Sequence, residues 1–344
     1  MKRLLFYALL SCWLISGTEA SDPVKKPTVA NLTWHHLLLD TISPSPQDLK
    51  VLIISSRSFS AADTVNGFLR NDRPKHRELT YFIAFCHDTC WSVVKYDSFQ
   101  QAMDMMNREN DYVFFIHGHG KGFPQVLKRS AEISQRYNVN MVTFDWPSQN
   151  GNFNRSLNYV RQCTNNLEKA LDDYADYKYE HLPNHLRHSL FTHSLGGYQL
   201  IRLILNDKTD VLSDGQLFNT IVLNAPAIKH KKHNRLLNRI SANNHLYVML
   251  NKNDWVLNGA TLLMFSRQLG TKAEPPLAQH VNYFDFTKVA QKEHTYFIGA
   301  HQFEDTIPHI RNIYYNLLHG HPIDPIDKSY LSLKEGNGGY FVEP

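Results

Sequence analysis

The sequence has little of what marks a nucleic-acid-binding or membrane-spanning protein. The formal charge of its 344 residues is only +4 and is spread thinly along the chain. The densest basic run, His230-Lys231-Lys232-His233 with Arg235, is short and lacks interleaved aromatic residues, so a nucleic-acid partner is not expected. Beyond the first 20 residues, no segment is apolar over the ~20 residues that a spanning helix needs. The sequence leaves contact with a membrane surface open.

Cysteine is also scarce, with four residues in the whole chain. In an oxidising compartment Cys86 would pair with Cys90 across the short loop between them, and the alternative is that these two and Cys163 are reduced or buried thiols. The Cys-x3-Cys spacing has no second half at zinc-like spacing, so a metal site is not predicted.

Residues 1–20 have the pattern of a secretory signal. Two basic residues precede the apolar run Leu4 to Ile15, and Thr18-Glu19-Ala20 supplies small residues around a cleavage site. The pattern predicts an exported protein cleaved after residue 20. Two alternatives stay open: an uncleaved anchor, for which the apolar run is short, and lipid attachment at Cys12.

Short apolar runs bounded by turn residues recur along the chain and predict buried strands. Helix-length amphipathic stretches lie between them, such as Ser156 to Asp176. Alternating strands and helices predict an α/β fold with a mostly parallel sheet covered by helices on both faces. The predicted strands are Leu49 to Ser55, Leu79 to Phe85, Tyr112 to His117, Asn140 to Phe144, Ser189 to His193, Thr220 to Asn224, Leu246 to Leu250 and Val281 to Phe286.

We expect one domain over residues 49–320, because no repeat, low-complexity block or long linker divides this part of the chain. Residues 21–48 form an N-terminal segment after the signal. Residues 321–344 form a C-terminal tail with the polar, Gly/Pro-containing character of terminal segments.

The strongest local motif is Thr192-His193-Ser194-Leu195-Gly196-Gly197, in which an apolar strand runs straight into a small-residue turn and a helix. This is the pattern of a nucleophile elbow, which lifts a serine hydroxyl above the sheet. Ser194 is therefore the candidate nucleophile, and the backbone N–H of Leu195 a candidate oxyanion donor. The alternative is that Ser194 only caps the helix. Thr192 stands where the elbow pattern has its first glycine.

A second glycine-containing loop, His117-Gly118-His119-Gly120, follows the buried strand Tyr112 to His117. An α/β-hydrolase places its second oxyanion donor on such a loop, and the N–H of His119 is the candidate. Histidines two residues apart on a loop also suit a metal, but no Asp, Glu or Cys cluster joins them at useful spacing.

The remaining triad positions follow the elbow in chain order. Asp254 lies in a loop after the strand Leu246 to Leu250 and suits the acid, which holds the histidine in one tautomer; the alternative is an ordinary Asn/Asp-rich turn. His294 follows the last predicted strand and completes the Ser, Asp, His order of this fold. His301 is the alternative base.

These landmarks resemble a bacterial family of lipase-like α/β-hydrolases that is catalogued as a domain of unknown function. Ile116-His117-Gly118 is similar to its His-Gly loop, and Asp145-Trp146-Pro147-Ser148 to its Trp-Pro-Ser segment. His193-Ser194-Leu195-Gly196 is similar to its elbow, and Asn253-Asp254 to its acid loop. His294-Thr295-Tyr296-Phe297 resembles its His-Ser-Tyr-Phe motif, which favours His294 over His301.

The resemblance implies an exported serine hydrolase of the carboxylesterase or lipase type, located in a bacterial envelope or secreted. It covers roughly Val51 to Leu318, including Ser56-Arg57. The substrate would be a small-molecule or lipid-like acyl ester, with no cofactor, and Trp146 and Ser148 would line its pocket unless they only pack the loop. The alternative function is a non-catalytic α/β-hydrolase scaffold that acts as an envelope binding protein.

Overall fold

A computed structural model describes residues 34–37, 44, 48–59, 69, 78–87, 90–148, 153–208, 212, 215–241, 243–298, 307–334 and 339–344. The predicted signal segment and the alternative base His301 lie outside these ranges. No helix in the described part of the chain is both long and apolar enough to cross a membrane.

Twelve strands in the described ranges form a single sheet, in the order β1-β4-β3-β2-β6-β5-β7-β8-β9-β10-β12-β11. Neighbours from β2 through β6, β5, β7, β8, β9 and β10 to β12 are parallel, and the pairs β2/β3, β3/β4 and β11/β12 are antiparallel. The strands are β1 Trp34–Leu37, β2 Leu49–Ser55, β3 Thr80–His87, β4 Cys90–Tyr96, β5 Tyr112–Ile116, β6 Asn140–Asp145, β7 His188–His193, β8 Thr220–Asn224, β9 His245–Leu250, β10 Val281–Asp285, β11 Leu331–Leu333 and β12 Tyr340–Val342.

Helices connect the strands and cover both faces of the sheet, as the sequence predicted. They are α1 Phe99–Asp104, α2 Phe123–Tyr137, α3 Phe153–Gln162, α4 Thr164–His181, α5 Leu195–Leu205, α6 His233–Leu237, α7 Trp255–Met264 and α8 Pro308–Leu318, with 3₁₀ turns at Tyr296–Ile298 and Pro325–Asp327. The predicted α/β architecture, a mostly parallel sheet with helices on both faces, is confirmed.

The core lies along the central strands. Every residue of β5, β6, β7 and β8 is buried. Strands covered on both faces read as continuous apolar runs rather than as an alternating pattern, which is why these four were visible in the sequence. Their carboxyl ends all meet at one edge of the sheet, where ligands bind in open α/β sheets.

The sheet includes strands from outside residues 49–320, the limits predicted for the domain. At one edge β1 pairs in parallel with β4. At the other edge β12 pairs in parallel with β10, and β11 pairs with β12, so the C-terminal tail contributes two strands. These strands are only three or four residues long, too short for a periodic pattern to identify.

The strands β3 and β4 form the hairpin that carries the predicted disulfide. Its register places Cys86 opposite Trp91 and Cys90 opposite His87. The side chain of Cys90 lies outside the described part of the chain, so the disulfide stays a prediction.

Candidate active site

Ser194 lies at the turn from β7 into α5, in a backbone conformation that is rare for a residue with a side chain. Its φ of 55° and ψ of −119° fall outside the ordinary regions for an L-residue. Such a conformation costs on the order of 1–3 kcal/mol and persists only where the surroundings enforce it. In α5, all of whose residues are described, no backbone N–H receives a capping hydrogen bond from the Ser194 side chain. The geometry is that of an elbow and does not support the capping alternative.

The elbow closes only because glycines surround it. A Cβ atom on Gly196 would lie 2.1 Å from the carbonyl oxygen of Ile116, at the end of the neighbouring strand. A Cβ atom on Gly118 would lie 2.9 Å from the Cβ of Ser194. The His-Gly loop therefore packs directly against the candidate nucleophile, and neither position has room for a side chain.

The two candidate oxyanion donors come from these same elements. Leu195 is the first residue of α5, so its N–H has no acceptor within the helix. His119 lies on the loop beside the elbow. Its side chain is engaged elsewhere, because the imidazole Nδ1 lies 2.8 Å from the hydroxyl of Ser156 and the ring packs edge-on against Phe153. Burial lowers the pKa of His119 to about 4, so this ring is neutral near pH 7.

His294 and Asp254, forty residues apart in the chain, form a close pair. The imidazole Nδ1 lies 2.6 Å from Oδ2 of Asp254, which is completely buried. A carboxylate only accepts hydrogen bonds, so Nδ1 carries the proton and Nε2 is left as the basic nitrogen. The second carboxylate oxygen, Oδ1, accepts the N–H of Leu257 at 2.9 Å and caps α7. Both oxygens therefore have a defined partner.

Asn251 holds the histidine loop against the acid loop, a role that the sequence did not indicate. Its side-chain amide donates to the carbonyl oxygens of Gln291 at 3.1 Å and Glu293 at 2.9 Å, the second of these immediately before His294. Asn251 is buried and directly follows β9. Asparagine is common in turns, so without these contacts the residue is indistinguishable from an ordinary turn residue.

His193 places a second imidazole beside the first. Its ring centroid lies 4.5 Å from that of His294 and 5.1 Å from that of Phe297. Burial, and then the proximity of His294, hold the pKa of His193 well below its usual value, so the ring is neutral. Because His193 directly precedes Ser194, this contact brings the elbow and the histidine loop together.

A buried ion pair ties the His-Gly loop to the end of β6. The Nε of Arg57 donates to both carboxylate oxygens of Asp145, at 2.8 and 2.7 Å, and both side chains are inaccessible to solvent. The guanidinium also donates to the carbonyl oxygens of Lys121 at 2.9 Å and Trp146 at 2.7 Å. Burial alone would raise the pKa of Asp145, but Arg57 and His117 hold it below its usual range. Through these bonds Arg57 holds the residue that follows the His-Gly loop against the end of β6.

Trp146 and Ser148, the predicted pocket residues, are both completely buried. The Trp146 ring stacks on His117 with centroids 5.4 Å apart, and its indole N–H donates to the His117 carbonyl at 2.9 Å. The Ser148 hydroxyl bonds both the N–H and the carbonyl of Lys121, each at 3.1 Å. Their contacts are those of loop packing, the alternative stated for them, and they do not face an open pocket.

The structure thus gathers the predicted residues in two groups. Ser194, Leu195 and the Gly118 loop form one, and Asp254 with His294 forms the other, with His193 contacting His294 between them. Within the described residues, no group of three or more His, Cys, Asp and Glu side chains is placed to hold a metal ion.

Comparison with known proteins gives the following. The profile of a family described as "Alpha/beta hydrolase of unknown function (DUF900)" matches residues 96–306. Carboxyl esterase 2 from the mycorrhizal fungus Tuber melanosporum is similar in structure at 9% identity, with a TM-score of 0.42, covering 92% of this chain and 98% of that one. Esterase LipW from Mycobacterium marinum is similar at 10% identity, with a TM-score of 0.34, covering 80% and 81%. Among curated proteins, none matches this sequence significantly.

Proposed function

We propose that this chain, which belongs to the alpha/beta hydrolases of unknown function (DUF900), is a serine hydrolase that cleaves acyl esters with the triad Ser194, Asp254 and His294. The observation that carries the proposal is the backbone of Ser194, whose φ of 55° and ψ of −119° define a strained elbow, because strain of this kind concentrates at functional sites. The 2.6 Å contact between His294 and Asp254 supports it.

In this mechanism Nε2 of His294 takes the proton from the Ser194 hydroxyl as the oxygen attacks the acyl carbonyl carbon. Asp254 holds the imidazole in the Nδ1–H tautomer and stabilises the imidazolium that forms. The N–H groups of Leu195 and His119 donate to the oxyanion of the tetrahedral intermediate. The imidazolium then gives its proton to the leaving alcohol, and a water molecule activated by His294 releases the acyl group from Ser194.

The substrate is proposed to be a small-molecule or lipid-like ester. Thioesters and amides need the same groups, and no step calls for a metal or an organic cofactor. The signal-like pattern of residues 1–20 supports export to a bacterial envelope or the medium, where such a hydrolase would act on external esters.

Labelling with a fluorophosphonate, followed by mass spectrometry to locate the adduct, tests the nucleophile. We expect one adduct on Ser194 in the folded protein and none after heat denaturation. The Ser194→Ala variant should lose labelling and ester hydrolysis, whereas Ser92→Ala, which removes a partly exposed hydroxyl on β4, should keep both.

An absence of labelling in folded protein, or an adduct elsewhere, would contradict the assignment. If the protein binds ester ligands without turning them over, the alternative of a non-catalytic envelope binding protein is favoured.

A further inference from the structure

Helix α7 exposes an unusual amount of apolar surface. Its sequence, Trp-Val-Leu-Asn-Gly-Ala-Thr-Leu-Leu-Met, contains no charged residue. Leu257 and Ala260 face the core. Trp255 is 51% exposed, Leu262 is 63% exposed, and Phe265, which follows the helix, is 96% exposed.

The exposed residues lie on one face. Positions 255, 259 and 262 follow the i, i+4, i+7 spacing of a single helix stripe, and a Cβ atom on Gly259 would have no neighbour within 4 Å. A helix that is apolar all round is normally buried, and an exposed apolar surface marks a place of interaction. One stripe of α7 packs on the domain, and the opposite stripe faces outward.

Basic side chains border this outward face. A cavity of about 730 Å³ lies over the carboxyl ends of β9 and β10, and Asn258 of α7 lines it together with Lys252, Arg267 and Lys272. The acidic residue of its lining, Asp285, is bonded to Lys334. Within the described part of the chain, no carboxylate forms an ion pair with Lys252, Arg267 or Lys272.

A second basic segment lies next to the first. The N–H of His230 donates to the Arg267 carbonyl at 3.1 Å, and Lys229 forms a β-bridge with Gln268. These contacts bring residues 229–232, which include the start of the chain's densest basic run, beside the end of α7. The nearby carboxylate of Glu274 lies 3.4 Å from Nδ1 of His230 and can offset one of the surrounding positive charges, so the segment remains basic.

We propose that the outward face of α7 and this basic rim dock on an anionic lipid surface. Apolar side chains, including an indole and a phenyl ring, would enter the boundary between headgroups and acyl chains, and the surrounding lysines and arginine would meet lipid phosphates. An apolar protein partner would match the helix but leave the uncompensated positive charge without a counterpart. Charge complementarity therefore selects the anionic bilayer.

The proposed docking surface contains no residue of the triad. It begins one residue after Asp254, so it would bring the acid loop close to the lipid, but binding does not require turnover. A failure of Ser194 to react would leave the docking surface untouched, and a failure to bind vesicles would leave the triad untouched.

Vesicle sedimentation with the purified full chain tests the proposal. We expect binding to phosphatidylcholine vesicles containing phosphatidylglycerol, binding that is weakened at least tenfold in vesicles of phosphatidylcholine alone, and loss of binding as salt is raised. Free inorganic phosphate at millimolar concentration should not compete, because the apolar face supplies part of the affinity.

Two sets of variants locate the surface. Leu262→Ser with Phe265→Asn should weaken binding at least tenfold, and so should Lys231→Gln with Arg267→Gln and Lys272→Gln. The control for the apolar variant is Tyr179→Ser with Leu205→Ser, which changes exposed apolar residues at the ends of α4 and α5. The control for the basic variant changes three exposed cations on α2, α3 and α8: Lys128→Gln, Arg161→Gln and Arg311→Gln. The controls should bind as the parent does, and all variants should keep the parent's thermal midpoint within a few degrees.

The proposal is overturned if the α7 variants bind anionic vesicles as tightly as their controls, or if the parent does not distinguish anionic from neutral vesicles. Gel filtration showing a dimer that the Leu262→Ser and Phe265→Asn changes dissociate would also overturn it, because the face would then be an interface between copies of this chain.

Discussion

The buried pair of Arg57 and Asp145 gives a sharp test of what holds the His-Gly loop in place. Arg57→Leu removes the cation and leaves Asp145 buried, with Ser55 and His117 as its remaining side-chain partners among the described residues, the hydroxyl of Ser55 donating at 2.9 Å. Breaking a buried pair by removing one partner costs about 3–5 kcal/mol, because the remaining charge is uncompensated. The carbonyl oxygens of Lys121 and Trp146 also lose their guanidinium donor.

Urea denaturation followed by circular dichroism measures this cost. With an unfolding slope of about 3 kcal/mol per molar urea, a loss of about 3–5 kcal/mol should lower the midpoint by roughly 1–1.7 M. Arg57→Lys should recover less than half of the loss, because an ammonium group cannot bond the carboxylate and two carbonyl oxygens in a fixed fork. The double change of Arg57→Leu with Asp145→Leu should be no less stable than Arg57→Leu alone, because it removes the stranded charge.

The reasoning would be refuted if Arg57→Leu and Asp145→Leu lowered the free energy of unfolding by equal amounts and the double variant lost the sum of the two. Additive losses would mean that the two charges do not interact. A midpoint shift below about 0.3 M for Arg57→Leu would refute it as well, because it would show that water or another group satisfies Asp145 at little cost.

Three further outcomes follow from the site. Asp254→Asn should lower kcat for ester hydrolysis by about 10³–10⁴-fold, because an amide no longer fixes the Nδ1–H tautomer of His294, while stability changes little because asparagine also caps helices. Gly118→Ala should lower kcat at least about tenfold, because the new methyl group would lie 2.9 Å from the Cβ of Ser194; Gly259→Ala, which meets open space on α7, should leave kcat unchanged. Burial lowers the pKa of His188 to about 3 in the folded protein, against about 6.5 in the unfolded chain. The neutral ring therefore contributes its full stability above pH 6.5, and this contribution is lost as the pH falls toward 3. In His188→Phe the thermal midpoint should fall less steeply between about pH 7 and about pH 4.5 than in the parent.

Each of these has a clear contrary result. Normal kcat in Asp254→Asn would remove that residue from the triad, and matched kcat losses in Gly118→Ala and Gly259→Ala would show a general loosening rather than a local clash. If the thermal midpoint of His188→Phe falls with pH as steeply as that of the parent, other groups cause the loss of stability in acid. His319 is not one of them, because Asp111 raises its pKa, and the stability that His319 contributes is lost as the pH rises.

The central strands were predictable because burial on both faces leaves long apolar runs in the sequence. The bounds of β2 and β8 coincide with the predicted ones, and those of the other central strands differ by one residue. The edge strands β1, β11 and β12 were not predicted, because a strand of three or four residues has no measurable period. The predicted helix Ser156 to Asp176 is two helices that meet at Cys163, a break that no proline or glycine announces.

Chain order and loop position predicted the elbow turn at Ser194 and the loops that carry Asp254 and His294, while the catalytic roles of the three residues stay predictions. The site was not predictable where a side chain acts across the fold. Arg57 and Asp145 are 88 residues apart, and only the parallel pairing of β2 with β6 brings them together. The buried state of Trp146 was likewise hidden, because a tryptophan after a strand suits a pocket wall and a packed loop equally well.

The carboxylate of Asp254 joins two parts of the molecule that are usually treated separately. One of its oxygens caps the helix α7 and the other contacts the imidazole of His294, so the side chain is a short link between an outer helix and the candidate base. Because Asp254 is the N-cap residue of α7, no loop residue separates the helix from this link. A displacement of α7 would therefore move the carboxylate that orients the imidazole of His294. A contact made by the outer face of this helix would in this way alter the position of the candidate base.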